Sequence, residues 1–208
     1  MEREWDPVEV ASRAARYDRE AFAELFDRFF EGIRRYAYFH TGDEDLADDM
    51  AAEVFSQALA SIENFTDRGG TIGAWLYGIA RNVVAGHFRK SGRVHEVGLS
   101  DELAEPEEHG PVQTVFEEMS NLELYEALST LPDMQRDVVV LRFIEGYDVD
   151  GVARIVGKRP GAVRALQHRA MISLRKVFGL GPDGKPRTAS GGLERMLPEE
   201  AGGVVPGV

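Results

Sequence analysis

The sequence predicts an all-α protein with two small helical domains joined by a flexible acidic linker, the second domain being a helix-turn-helix. Three observations lead to this fold class. Apolar residues recur at three- and four-residue spacing along most of the chain, which is the pattern of amphipathic helices. A stretch rich in glycine, proline and acidic residues divides these segments into two groups. In the second group a short helical segment, a glycine and a longer basic segment follow one another, as in a helix-turn-helix.

The first domain is predicted to cover residues 18–91, after an N-terminal extension of residues 1–17. It contains three amphipathic segments. Their apolar positions run from Phe22 to Ala37, from Leu46 to Ile62 and from Ile72 to Phe88. The His-Thr-Gly-Asp run at 40–43 separates the first two helices, and the stretch 64–73, with three glycines, is predicted to be a loop.

The linker is assigned to residues 92–118, which lack the apolar density of a packed core. The second domain follows at residues 119–180. One of its helices stops at Pro132, and the next begins there and ends at Glu145. Residues 181–208 are rich in glycine, proline and charge with little periodicity, and are predicted to form a mostly disordered tail.

The last two helices of the second domain are bounded by glycines. A short helix is predicted from about Val149 to Val156, closed by Gly157, and a longer one from near Pro160 to about Phe178, closed by Gly179. The expected buried stripe of the longer helix consists of Val163, Leu166, Ala170, Leu174 and Val177.

The composition favours a cytoplasmic protein without membrane insertion. The 208 residues contain no apolar run approaching the roughly 18 residues of a membrane span, and the N-terminus lacks the order of a signal peptide. No cysteine is present, so disulfides and thiolate metal sites are excluded.

The net charge of -12 is divided into blocks of opposite sign. Residues 36–67 contain no lysine or arginine and eight acidic residues, whereas residues 69–95 contain no acid. Residues 151–180 are again free of acid and hold seven lysines and arginines. This segregation indicates separate surfaces for a basic partner and for nucleic acid.

The longer basic helix is a candidate for recognition of duplex DNA. In a helix-turn-helix the second helix enters the major groove, where arginine and glutamine make bidentate contacts with bases. A solvated basic face on a structural helix is the alternative. The candidate DNA contacts at this helix and just before it are Lys158, Arg159, Arg164, Gln167, His168 and Arg169.

The third helix of the first domain combines aromatic and basic residues, which suits it to melted DNA. Trp75 falls on the apolar stripe and is expected to be a core residue. The candidate contacts to single-stranded DNA, including those in the preceding loop, are Asn64, Phe65, Arg68, Tyr77, Arg81, Asn82, Arg89 and Lys90.

The second helix carries acidic residues on one face. Asp45, Asp49 and Glu53 lie one helical turn apart, and we call them the carboxylate ridge. Such a ridge suits an arginine-rich partner, although most acidic runs are solvated faces.

Three segments in this order resemble extracytoplasmic-function sigma factors of the sigma-70 family over about residues 18–178. Residues 46–55 (LADDMAAEVF) are similar to the family's polymerase-docking region, residues 75–82 (WLYGIARN) to its promoter-melting signature and residues 161–170 (GAVRALQHRA) to its upstream recognition helix. Three positions differ from the family's usual residues, namely Ala52, Gly86 and Ala162.

The resemblance implies a factor that binds core RNA polymerase, reads the minus-35 element as duplex and melts the minus-10 element, with an anti-sigma factor as a further partner. The loop 64–73 would capture a base flipped from the non-template strand. The implied polymerase-binding residues are Asp45, Asp48, Asp49, Glu53 and Phe55.

An enzymatic function is not expected. The five histidines show no metal-ligand spacing, no phosphate-binding glycine loop is present, and no cofactor is predicted. The alternative function from the residues alone is a stand-alone helix-turn-helix regulator, whose N-terminal helices receive a signal or dimerise.

Overall fold

A computed structural model describes residues 5–65, 71–90, 116 and 119–179 of the chain. Over these residues the secondary structure consists of helices and turns without strands, which confirms the predicted all-α class. Arg68, nearly all of the predicted linker and the predicted tail 181–208 lie outside the described residues. No helix within the described ranges is long and apolar enough to cross a membrane.

The first half of the chain folds into four α-helices: α1 (Pro7–Ala14), α2 (Arg19–Thr41), α3 (Glu44–Ser61) and α4 (Ile72–Lys90). A 3₁₀ turn, Ile62–Asn64, extends α3. The helices α1, α2 and α3 each begin after an aspartate whose side chain accepts hydrogen bonds from free backbone N–H groups of the first turn. Gly42 ends α2 in the left-handed conformation at φ 71°, where glycine has no steric penalty.

Helix α1 falls in the segment that was predicted only as an N-terminal extension. Asp6 caps it and Pro7 occupies its first turn, a position where proline costs no hydrogen bond. Its buried side chains pack against α2, the 3₁₀ turn and the start of α4 in a second apolar cluster, which contains Val10, Ala11, Ala14, Ala21, Leu25, Ile62 and Ile72. Its buried residues Val10, Ala11 and Ala14 follow helical spacing.

The second half contains α5 (Asn121–Ser129), α6 (Asp133–Val139), α7 (Val149–Val156) and α8 (Pro160–Val177). Five residues of π-helix, Val140–Ile144, continue α6 up to Glu145. Asp148 caps α7 by accepting a hydrogen bond from the Gly151 N–H at 2.7 Å, and Gly157, with φ 66°, turns the chain into α8.

The predicted helix-turn-helix is therefore confirmed, with one correction at its C-terminal end. Val177 was expected on the buried stripe of α8 but is 49% exposed, so the stripe ends at Leu174. The helix ends at Val177, and the chain continues through Phe178 and Gly179. Phe116, from the predicted linker, is buried and packs edge-on against Phe143 and Phe178 of this half.

The two halves pack against each other and share one continuous apolar core. The contacts run between α2 and α5 and between α4 and α7. Aromatic rings meet across this boundary, with Tyr38 and Tyr125 at 5.8 Å and Tyr77 and Tyr147 at 5.2 Å between centroids. The first helix of the helix-turn-helix thus lies on α4.

The packing of α1 can be tested at Ile62, which is fully buried between α1 and α4. We expect Ile62→Ala to lower the free energy of unfolding by about 3 kcal/mol, because it removes buried methyl groups and leaves a cavity. Urea titration followed by circular dichroism measures the change. The control is Leu59→Ala, whose side chain is 47% exposed and whose loss should stay below about 1 kcal/mol. Equal, small losses in both variants would contradict this packing.

Candidate functional site

The carboxylate ridge lies on the exposed face of α3. Asp45, Asp49 and Glu53 are exposed, while Met50 and Val54 are buried beneath the helix. Glu53 accepts a hydrogen bond from the side-chain amide of Gln57 at 2.9 Å. The ridge therefore presents carboxylates on a rigid helix, with the orientation that the sequence predicted.

Two other residues predicted for the same surface are engaged within the chain. Asp48 accepts a hydrogen bond from the Arg34 Nε at 2.5 Å, and Arg34 also pairs with Glu44. Phe55 is only 4% exposed. It contacts an aromatic cluster of α2 formed by Phe22, Phe26 and Phe30. The prediction that Phe55 offers its side chain to a partner does not match this burial, and its ring instead anchors α3 on α2.

The recognition helix α8 presents its first turns to solvent. Arg159 and Arg164 are exposed, and Lys158, His168 and Arg169 are half-buried. The side-chain oxygen of Gln167 lies 3.4 Å from the Arg142 Nε, which donates to it. Arg142 also donates to the carbonyl oxygen of Tyr147, so it connects α8 to the turn before α7.

Residues predicted to contact melted DNA divide into an exposed group and a covered group. Asn64, Asn82 and Arg89 are exposed, and the side chain of Lys90 lies outside the described residues. Phe65 is half-buried against the half-buried Trp75, with ring centroids 5.5 Å apart. Trp75 packs against both apolar clusters, in keeping with the expected core role. The covered group is Tyr77 and Arg81.

Tyr77 points into the boundary between the halves. It is 2% exposed, and its hydroxyl donates to the Glu145 carboxylate at 2.5 Å. The same carboxylate accepts two hydrogen bonds from Arg35, at 2.8 and 2.9 Å, in a bidentate ion pair. Burial and the negative charge of Glu145 raise the pKa of Tyr77 far above its ordinary value, so the phenol stays neutral. Gly32 leaves room for this contact, because a Cβ there would lie 2.8 Å from a Glu145 oxygen.

Arg81 is paired across the same boundary with Asp137 of α6. Its Nε donates to one Asp137 oxygen at 3.0 Å. The other oxygen accepts from the Tyr36 hydroxyl at 2.6 Å and from the His40 Nε2 at 2.9 Å. Asp137, Tyr36 and His40 are all buried. We call Tyr36, His40, Arg81 and Asp137 the boundary network.

Both ring nitrogens of His40 make hydrogen-bond contacts inside the protein. Its Nδ1 lies 2.8 Å from the backbone carbonyl oxygen of Tyr36, which can only accept. Its Nε2 faces the carboxylate of Asp137, which also accepts when ionised. His40 therefore connects the backbone of α2 to the carboxylate of Asp137 on α6.

The charge of Asp137 is compensated within the network. Burial alone would raise the pKa of its carboxyl, but the hydrogen bonds from His40 and Tyr36 and the charge of Arg81 outweigh burial and lower it. The carboxylate is therefore ionised at neutral pH, although it is removed from water.

Arg136 provides a second polar connection between the halves. Its guanidinium is buried and donates to the carbonyl oxygens of Leu128, Ser129 and Leu131 at the end of α5. It also donates to the His40 carbonyl in the last turn of α2, at 3.4 Å. Burial lowers its pKa. One cation thus satisfies the unpaired carbonyls at two helix C-termini.

The residues Arg35, Tyr36, His40, Asp137 and Glu145 were not among the predicted functional residues. No local pattern distinguishes these carboxylates from solvated ones, because their partners are 56 to 110 residues away in the sequence. Among the described residues, no group of three or more histidines and carboxylates is arranged to hold a metal ion.

Two family models match the chain. The model of Sigma-70 region 2 matches residues 25–94, and the model of Sigma-70, region 4 matches residues 121–174. Helix α1 precedes both matches. The carboxylate ridge and α4 fall in the first match, and the helix-turn-helix falls in the second.

Two relatives with similar sequences are sigma factors. The ECF RNA polymerase sigma factor BldN of Streptomyces coelicolor is 38% identical over 172 residues, which are 82% of this chain and 65% of BldN. The ECF RNA polymerase sigma factor SigD of Mycobacterium tuberculosis is 33% identical over 172 residues, 80% of this chain and 81% of SigD.

Two solved structures share the fold. The structure of CnrH in complex with the cytosolic domain of CnrY matches with a TM-score of 0.63 at 22% identity, covering 82% of this chain and 96% of CnrH. The sigma factor RpoE of Bartonella quintana, in complex with the anti-sigma factor NepR, matches with a TM-score of 0.59 at 23% identity. That match covers 75% of this chain and 95% of RpoE.

The boundary network predicts a pH-dependent contribution to stability. Because the folded pKa of Asp137 is lowered, its stabilisation is complete above the unfolded pKa, about 3.9, and is lost as the pH falls through the folded pKa. We expect Asp137→Asn to lower the free energy of unfolding by about 3 kcal/mol at pH 7, because Arg81 loses its counter-charge.

The difference between wild type and Asp137→Asn should shrink in urea titrations below about pH 4, where Asp137 of the unfolded wild type takes up a proton while the folded carboxyl is still ionised. Asp49→Asn, on the exposed ridge, is the control and should change the free energy of unfolding by less than about 0.5 kcal/mol at pH 7. A difference between wild type and Asp137→Asn that stays constant down to pH 3 would contradict an ionised Asp137.

Proposed function

Because the chain belongs to the extracytoplasmic-function sigma factors of the sigma-70 family, we propose that it binds core RNA polymerase, directs it to specific promoters and helps to open them. The residue assignments rest on one observation, namely that three different surfaces lie on three different helices. A carboxylate ridge lies on α3, an exposed basic helix begins at Arg159, and α4 combines polar, basic and aromatic side chains.

The carboxylate ridge is our proposed polymerase-docking surface. Its three carboxylates are exposed at one-turn spacing on a helix that the aromatic cluster around Phe55 fixes to α2. Guanidinium groups of an arginine-rich partner can pair with such carboxylates in bidentate geometry. Asp48 would contribute only by exchanging Arg34 for a partner cation.

Helix α8 is the proposed reader of the minus-35 element. Arg159 and Arg164 are exposed near its N-terminus, the end that contacts base edges in helix-turn-helix proteins. Gln167 can approach a base after releasing Arg142. Lys158, His168 and Arg169 flank these positions and suit phosphate contacts.

The minus-10 element is assigned to the end of the 3₁₀ turn and to α4. Asn64 and Asn82 offer exposed amides, and Arg89 offers an exposed cation for the backbone of a single strand. Phe65 is available for stacking only if it leaves Trp75. Arg68 and Lys90 remain candidates from the sequence.

The proposed role is non-catalytic: the chain supplies binding surfaces, and the polymerase supplies the chemistry. Its place of action is then the cytoplasm, where the polymerase works. The two solved structures described above are complexes, one with the anti-sigma factor NepR and one with the cytosolic domain of CnrY. By analogy we extend the proposal to an anti-sigma partner of this chain, which would compete with polymerase for the ridge.

The docking assignment is tested by reversing charge on the ridge. We expect the double variant Asp49→Lys and Glu53→Lys to lose binding to core polymerase in a pull-down, by at least about tenfold, because two carboxylate contacts become repulsive. Circular dichroism should show an unchanged fold, since both side chains are exposed.

The control is Glu20→Lys with Glu126→Lys, the same charge change at exposed positions on α2 and α5. This variant should bind core polymerase like the wild type. Undiminished binding by the ridge variant, or equal loss in both double variants, would disprove docking through the ridge.

A further inference from the structure

We infer that Arg142 is a positioning residue for DNA recognition: it holds the side-chain carbonyl of Gln167, so that this amide offers only N–H donors and selects guanine over adenine in the minus-35 element. The inference rests on the proposed function, because it concerns the helix assigned to duplex DNA. It adds the base that one side chain selects and the residue that sets this choice.

Gln167 lies on the same helix face as an exposed candidate DNA contact. It follows Arg164 by three residues, so the two side chains are neighbours one turn apart on α8. Arg164 is exposed and Gln167 is half-buried. Both residues belong to the first half of α8, and the N-terminal part of a recognition helix is the part that contacts base edges. Gln167 is thus placed to contact a base and a protein group at the same time.

The protein group is Arg142, which lies in the π-helical segment before α7. Its Nε is 3.4 Å from the side-chain oxygen of Gln167, and a second nitrogen donates to the carbonyl oxygen of Tyr147. Burial lowers the pKa of Arg142, but the pKa of arginine lies so far above neutral pH that the guanidinium stays charged. Contacts with two different groups make this half-buried guanidinium a fixed donor beside α8.

The chemistry of the guanidinium decides the orientation of the glutamine amide. Arginine carries five N–H donors and no acceptor, so the atom of Gln167 that faces Arg142 has to be the carbonyl oxygen. The opposite orientation would place the amide nitrogen against an N–H group without a hydrogen bond. With its oxygen engaged, Gln167 has its two N–H donors left for a base.

The two purines differ in what they offer to such donors. Guanine presents two neighbouring acceptors in the major groove, N7 and O6, whereas adenine presents the acceptor N7 beside an amino donor. A free glutamine pairs with adenine because its oxygen accepts from the amino group while its nitrogen donates to N7. When Arg142 holds the oxygen of Gln167, only N–H groups face the base. Guanine is then favoured, and the amino group of adenine meets another donor.

Adenine can pair with Gln167 through both amide atoms only after Arg142 is displaced. Displacement breaks a hydrogen bond from a charged donor, and such bonds are stronger than those between neutral groups. The internal contact therefore creates a free-energy difference between two bases. Arg142 takes part in this choice without touching the DNA.

The test measures the base preference of holoenzyme assembled from core polymerase and the full chain. Promoter duplexes with a randomised minus-35 region are incubated with the holoenzyme, and the bound duplexes are sequenced. The variant Gln167→Met identifies the position that Gln167 reads, because methionine has a similar length and no N–H donor. At that position the wild type should select guanine, and Gln167→Met should not distinguish guanine from adenine.

We expect Arg142→Met to lower the ratio of guanine to adenine at this position by about tenfold, because the released amide can pair with adenine through both of its atoms. Preferences at the other positions of the element should stay as in the wild type. A contact that only holds two helices together would instead lower binding to all sequences alike.

The control is Arg154→Met, the same change at an exposed arginine of α7. It should keep the wild-type ratio of guanine to adenine even if it weakens binding, because phosphate contacts carry no sequence information. Circular dichroism checks that both arginine variants are folded.

A measurement on the wild type replaces the variant if Arg142→Met does not fold. Adenine at the identified position is exchanged for purine, which lacks the exocyclic amino group. The wild-type holoenzyme should bind the purine duplex at least as tightly as the adenine duplex, because the missing amino group faced N–H donors of Gln167. A glutamine with a free oxygen would bind the purine duplex more weakly, since it loses a hydrogen bond.

Four results overturn the inference: a Gln167→Met variant that alters no position, a wild type that prefers adenine to guanine at the identified position, an unchanged ratio in folded Arg142→Met, and weaker wild-type binding of purine than of adenine. In all four, a wild-type holoenzyme that selects a minus-35 element leaves the proposed function intact. A wild-type holoenzyme that selects no such element contradicts the proposed function, and the inference fails with it.

Discussion

The arrangement of the two halves depends on the buried carboxylate of Asp137. An ionised carboxylate away from water is costly unless every oxygen is hydrogen-bonded and its charge is balanced. The first half supplies that balance from two helices, with His40 and Tyr36 on α2 and Arg81 on α4. Asp137 therefore fixes the relative position of α2, α4 and α6 at one point, and α5 and α7 pack around that point.

Arg136, the sequence neighbour of Asp137 on α6, makes a second polar contact with α2. Asp137 contacts the side chains of Tyr36 and His40, and Arg136 donates a hydrogen bond to the carbonyl oxygen of His40. Their opposite charges are both buried and both satisfied by groups of the first half. A polar boundary of this kind fixes position more strictly than apolar packing, since hydrogen bonds tolerate little displacement.

The helices and their order could be predicted from the sequence because apolar spacing and capping are local. Gly157 ends α7 and Pro160 begins α8, and Asp45, Asp49 and Glu53 follow one face of α3 by helical geometry alone. Helix α1 was missed although Asp6 and Pro7 mark its start locally, because it lies outside the three longer amphipathic segments that define the predicted domain. Phe55 belongs to the apolar positions of α3, so its burial agrees with the helical spacing, whereas its role as a polymerase contact came from the resemblance alone.

The boundary between the halves could not be predicted for a different reason. Asp137 and Glu145 are ordinary carboxylates in the sequence, and their partners Arg81 and Arg35 lie 56 and 110 residues away. Helix α4 has the basic and aromatic residues that are typical of a DNA-binding helix, and two of them, Tyr77 and Arg81, bind carboxylates of the same chain.

The most direct test of the sigma-factor assignment is transcription in vitro by purified core polymerase, with and without this protein, on a library of randomised promoters. The assignment predicts that transcripts appear only when the protein is present, and that their templates share two short elements upstream of the start site. Transcripts that do not depend on the protein, or dependent transcripts without a shared upstream pair of elements, would contradict it.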